Sequence, residues 1–126
     1  MNYVTQSTLQ QDIIMTTSNN RDIYVSANTH FALFYGDTYK CMLVYKGPSS
    51  NFYGFPKDDK YFDKNKHGWQ GLDLLKIIQS DDAEIDICAR ERIDFYYGTF
   101  LLVDQVIVFK YGDDTIYIFI SNSQNE

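Results

Sequence analysis

The residues of this chain predict an α+β domain, with a mostly antiparallel sheet of about five to six strands packed by one main helix at residues 69–79. Three observations carry that expectation. Strand-favouring residues (Val, Ile, Tyr, Phe, Trp and Thr) fill 47 of 126 positions, while alanine fills four; that balance suits a pleated, half-buried surface better than a helical bundle. Residues 83–97 alternate between apolar and charged side chains with the two-residue period of a strand. Gly-Asp pairs at 36–37 and 112–113 stand between apolar runs, where glycine supplies the backbone freedom of a hairpin turn.

Each element follows from local pattern. Near the start, Ser7 as cap, Gln10 three residues on, and Leu9, Ile13 and Ile14 on one face predict a short helix, with a strand as the alternative. The run Thr16-Thr17-Ser18-Asn19-Asn20 ends it. Strands follow at Ile23–Val25, Phe31–Phe34 and Tyr39–Tyr45, the last two joined through Tyr35-Gly36-Asp37-Thr38. Residues 47–68 hold both prolines and three of the seven glycines and read as a long loop. Its aromatics, among them Phe52, Tyr53, Phe55, Tyr61 and Phe62, either fold over the core or wait for a partner.

From Trp69 to Gln79, Leu72, Leu75 and Ile78 recur at helical spacing, and Ser80-Asp81-Asp82 stops the helix. In Ala83–Tyr97, Ile85, Ile87, Ala89, Ile93, Phe95 and Tyr97 take odd positions as the core face, and a bulge is expected at Glu91. Cys88 then falls in phase with the charged face. Gly98 leads into Phe100–Phe109, and Tyr111-Gly112-Asp113-Asp114 leads into Thr115–Ile120. The resulting order resembles a decayed αβββ duplication, and paired βαβββ modules of the vicinal oxygen chelate type are a topological alternative. The length suits one domain, 1–126.

Charge divides the chain. Residues 1–69 carry seven bases and six acids, and residues 70–126 carry four bases and eleven acids, within a total of −6. Such a balance argues against direct nucleic-acid or anionic-membrane binding, which need clustered Lys and Arg. No apolar stretch precedes Arg21, and no run approaches the ~20 apolar residues of a membrane helix; a cytoplasmic protein with reduced Cys41 and Cys88 is expected.

Catalytic patterns are sparse. Tyr111-Gly112-Asp113-Asp114 resembles the metal-binding hairpin of RNA-dependent RNA polymerases over four residues only. The chain is too short for the rest of such an enzyme, and a polar turn is the simpler reading. His30 and His67 accompany no nucleophile motif. Gly54, Gly68 and Gly71 form no phosphate-binding loop. The acidic run Ser80–Asp86 lacks the central glycine of a calcium loop. No cofactor and no metal are expected.

What remains points to a small acidic inhibitor without catalysis. A toxin-neutralising immunity protein, or a phage or viral anti-defence protein, has these properties. Its partner would be a basic protein such as a toxin or nuclease domain. Asp81, Asp82, Glu84, Asp86, Asp94, Asp113 and Asp114 would steer the encounter, with Phe52, Tyr53 and Phe55 as anchors. The alternatives are a small enzyme or ligand-binding domain with an aromatic-lined pocket, and a subunit of a larger assembly. On strand position alone, Asp81, Asp82, Glu84 and Asp86 are solvated and tolerate their amides.

Overall fold

The computed structural model describes residues 3–36, 39–48, 60–66 and 68–122. Among these residues eight strands run in chain order: β1 Tyr3–Thr8, β2 Ile13–Thr16, β3 Asp22–Val25, β4 His30–Tyr35, β5 Lys40–Lys46, β6 Ala83–Tyr96, β7 Thr99–Tyr111 and β8 Asp114–Ser121. Six form one antiparallel sheet in the order β1-β4-β5-β8-β7-β6, and β2 with β3 forms a separate hairpin. Among the described residues the one α-helix is short, α1 Leu74–Ile78, preceded by a 3-10 turn at Gly68–Gly71. The molecule is sheet-dominated.

Two expectations change. The amino-terminal helix does not form: Ser7 lies in β1 opposite Phe31, and Ile13 and Met15 of β2 point inward while Ile14 points out. A two-residue burial period overrides the helical one because these strands find hydrogen-bonding partners in β4 and β3. With no helix there, the αβββ repeat and the paired βαβββ topology both lose their first unit. The helix expected at 69–79 is broken in the middle. Asp63 N–H donates to Gly71 O at 2.6 Å and Asp73 N–H donates to Tyr61 O at 2.8 Å, so the backbone at 71–73 is committed to the preceding segment. Asp73 then caps α1, accepting the Lys76 N–H at 3.2 Å.

Two cores lie on the two faces of the sheet. The β2–β3 hairpin covers one, burying Leu9, Ile13, Met15, Ile23 and Val25 against Phe31, Met42, Val44, Phe95, Val106 and Phe119. The 60–79 segment covers the other, with Tyr61, Trp69 and Ile77 over Leu43, Ile107, Phe109, Ile116 and Ile118. Central strands buried on both faces read as continuous apolar runs, as β4 and β5 do. Tyr61 is one loop aromatic that folds over the core, edge-on to Phe109 with ring centroids 4.8 Å apart. The β4–β5 turn is closed by Gly36 N–H donating to Tyr39 O at 2.9 Å; Asp37 and Thr38 lie outside the described residues, as does most of the 47–68 loop, at 49–59 and 67.

The sheet is strongly curled. Gln10, two residues past β1, donates its N–H to Phe95 O of the opposite edge strand at 3.0 Å, and Ser18 N–H donates to Ile87 O at 2.9 Å. The curl is built around an irregularity in β6, where pairing passes from Ile87↔Gln105 to Glu91↔Val103 and Arg90 takes φ 47°. The side chains change sides there on both strands: Ile107 and Phe109 face the helical layer, whereas Leu101 and Val103 face the hairpin-side core.

Candidate functional site

That change of side decides what β6 and β7 expose. Before the bulge, the odd positions Ile85 and Ile87 are exposed, and the even positions Asp86 and Cys88 are buried. After it, Ile93 and Phe95 turn inward, leaving Arg92, Asp94 and Tyr96 outside. Opposite them on β7 stand Leu102 and Phe100. α1 covers this side only near Ala83, so the outer face of the hairpin is uncovered among the described residues. It presents Ile85, Ile87, Tyr96 and Phe100, with Tyr97, 82% exposed, at its tip. Arg92 Cζ lies over the Phe100 ring, 3.9 Å from its centroid, and Arg92 Nε sits 3.1 Å from Asp94 Oδ1.

The acidic residues read from the sequence do not form one surface. Asp81 and Asp82 occupy the exposed turn between α1 and β6. Asp82 is held by Tyr61, whose hydroxyl donates to Oδ2 at 3.3 Å, and by its own N–H donating to Ser80 Oγ at 3.0 Å. Asp113 is exposed in the β7–β8 turn, at the same end of the sheet, since Ala83 pairs with Phe109 and Tyr111 with Asp114. Asp94 lies toward the other end of β6.

Two of the acids are interior, which corrects the expectation that the cluster is solvated. Asp86 is 3% exposed. Its Oδ1 accepts from Asn19 Nδ2 at 2.6 Å, its Oδ2 lies 2.8 Å from Arg21 Nε, and Arg21 also pairs with Glu84. The acidic strand is therefore partly neutralised by the loop between β2 and β3. Asp114, also 3% exposed, lies against Gly47 and accepts a hydrogen bond from the Tyr45 hydroxyl. Burial first, and the Asp114 carboxylate second, push the Tyr45 phenol well above its ordinary range. Asp113 and Asp114, adjacent in the chain, thus differ, one in solvent and one enclosed.

Phe52, Tyr53 and Phe55 lie outside the described residues. Cys88 is buried rather than partly exposed. Among the described residues, no three His, Cys, Asp or Glu side chains converge in a way that could hold a metal ion. Burial pushes the Cys41 thiol up to about 12, and burial with the nearby Glu91, Asp86 and Asp104 charges pushes Cys88 up to about 11; neither environment favours the thiolate that nucleophilic chemistry uses.

Sequence reasoning placed Ile85 and Ile87 in the core because their alternation is indistinguishable from that of inward residues. Nothing in the local pattern marks which phase faces the core, because the bulge that reverses it depends on pairing with β7. No known protein family, curated protein or solved structure matches the chain.

Proposed function

We propose that this protein is a non-catalytic binding protein that neutralises a basic protein partner, of the toxin-immunity or anti-defence kind. The observation that carries the reading is the outer face of the β6–β7 hairpin, where five of the eight exposed large hydrophobics among the described residues gather: Ile85, Ile87, Tyr96, Tyr97 and Phe100. Exposed aromatic and aliphatic anchors of this kind dominate protein interfaces. Leaving out the interior Asp86, the same segment, residues 81–105, carries six acids against Arg90 and Arg92, which favours a basic partner and speeds its encounter.

Co-expression with the product of a neighbouring toxin gene tests the reading. Protection of the cells is expected for the wild type and is expected to be lost with Ile87→Lys, an exposed substitution that leaves the fold intact by circular dichroism. Full protection by a folded Ile87→Lys protein would remove this face from the mechanism, and failure of the wild type to protect would count against the inhibitor class.

A further inference from the structure

The two edges of the six-stranded sheet are treated differently. The β6 edge is guarded. It carries Glu84, Asp86, Arg90, Glu91, Arg92 and Asp94, it is bulged at Arg90, and its outward carbonyls at Ile87 and Phe95 accept N–H groups from Ser18 and Gln10. Charges, bulges and covering segments are the devices that keep sheet edges from pairing. Among the described residues, the β1 edge has none of them. Tyr3–Thr8 contains no charged residue, proline or glycine, and pairs with β4 over six consecutive residues without an irregularity.

The direction of its backbone groups follows from the alternation of an antiparallel ladder. Leu9 N–H donates to Thr29 O on the β4 side, whereas Gln10 N–H donates outward to Phe95 O. Gln6 and Thr8, in phase with Gln10, therefore turn their N–H and C=O groups away from β4. No described residue outside the sheet's own ladder bonds to them. The Gln10–Phe95 bond also brings the exposed aromatic tip of the β6–β7 hairpin, Tyr96 and Tyr97, to the end of this open edge.

We propose that the β1 edge takes a second copy of this chain, as an antiparallel β1–β1′ pair about a two-fold axis that continues the sheet across the dimer. A two-fold interface joins the same patch on both subunits. About a two-fold centred on Gln6 the strand meets that demand, because Gln6 faces Gln6 of the second copy and Thr5 faces its Ser7 without opposing charges. The amino-terminal 69 residues are also close to neutral, with seven bases and six acids, so the acidic half of each copy need not face the other. A basic partner finds no carboxylate on this strand. The inference is independent of the proposed function, which uses a different face.

Sedimentation velocity of the full chain, from micromolar to about 1 mM in ~0.15 M salt, tests it alongside Gln6→Lys and Gln6→Pro. Lysine places a charge at the exposed edge; proline removes the outward N–H while leaving the β4 ladder, a substitution that edge strands tolerate. A concentration-dependent dimer is expected for the wild type, with the dissociation constant raised about tenfold or more by either variant, since each change acts twice across the two-fold. Gln6→Lys carries the test if the proline variant does not fold. Amide exchange at Gln6 and Thr8 is expected to slow as wild-type concentration rises. A wild type that stays monomeric to about 1 mM overturns the proposal, as does a dimer that a folded Gln6→Lys leaves unchanged. Protection of these amides only upon adding a basic partner would also overturn it, and would assign the edge to that partner.

Discussion

Replacing Asp86 by asparagine separates a solvated acid from an interior one. The carboxylate is 3% exposed and touches Asn19 Nδ2 at 2.6 Å and Arg21 Nε at 2.8 Å. In the variant, the amide oxygen can still accept from Asn19, but the amide nitrogen then faces Arg21, donor against donor. Removing one partner of a buried pair costs ~3–5 kcal/mol. The Arg21 side chain is 33% exposed and keeps Glu84 as a partner, so water and the second carboxylate offset part of that loss. A destabilisation of about 2 kcal/mol is expected for Asp86→Asn. Arg21→Ala is expected to cost somewhat more, about 3 kcal/mol, because it leaves the enclosed charge with Asn19 alone. With an unfolding entropy of ~2.1 cal/mol/K per residue, 126 residues lose about 4 °C in Tm per kcal/mol. Asp86→Asn should therefore melt about 8 °C below wild type, while the exposed Asp81→Asn and Asp113→Asn stay within ~0.5 kcal/mol. Urea titrations of the four variants, with the Arg21/Asp86 double mutant closing a thermodynamic cycle, measure this directly. An Asp86→Asn protein within ~0.5 kcal/mol of wild type would refute the assignment of Asp86 to the interior. The block change Asp81→Asn, Asp82→Asn, Glu84→Gln and Asp86→Asn, neutral by strand position alone, should be destabilised more than Asp86→Asn by itself, because Glu84→Gln also removes the second carboxylate of Arg21.

Two further outcomes follow from the geometry. Gly47 has φ 145°, and a Cβ there would lie 2.6 Å from the Asp114 Cα, a backbone atom that cannot rotate away; Gly47→Ala is expected to cost about 3 kcal/mol, read by chemical denaturation, and a cost under ~0.5 kcal/mol would contradict the packing of this turn against Asp114. The thiols should be silent toward a disulfide reagent at pH 8 in the native protein and react on unfolding. The unfolded thiol loses its proton near 9, whereas folded Cys41 holds it to about 12 and Cys88 to about 11. The unfolded state thus binds fewer protons between those values, and the thiols' contribution to stability should be flat below pH 9 and fall as pH rises above it. Rapid native labelling at pH 8 would contradict the enclosure of both residues.

Composition and local pattern were enough to determine a sheet-rich protein with antiparallel β4–β5 and β7–β8 hairpins, because strand period and turn chemistry are properties of neighbouring residues. The apolar runs of β4, β5 and β8 fit the places these strands take inside the sheet, since a strand covered on both faces needs no polar alternation. Pairing across the fold decided the rest. Ser7–Ile14 carries a helical spacing and a strand spacing together, and β4 and β3 as hydrogen-bonding partners selected the strand. The helix from Trp69 was interrupted because Gly71 and Asp73 bond to the 61–63 backbone, a contact invisible in helical periodicity. Along β6 the alternation was legible but its direction was not. Ile85 and Ile93 share an odd position in the chain, yet the bulge at Arg90 sends the first to solvent and the second to the core. The candidate site is that reversal: a two-residue period specifies which side chains lie together, and only the sheet's bend specifies which group faces water. Asp86 follows the same rule. Its charge suggested a surface, and Arg21, 65 positions away in the chain, supplied the counter-ion that lets it lie inside.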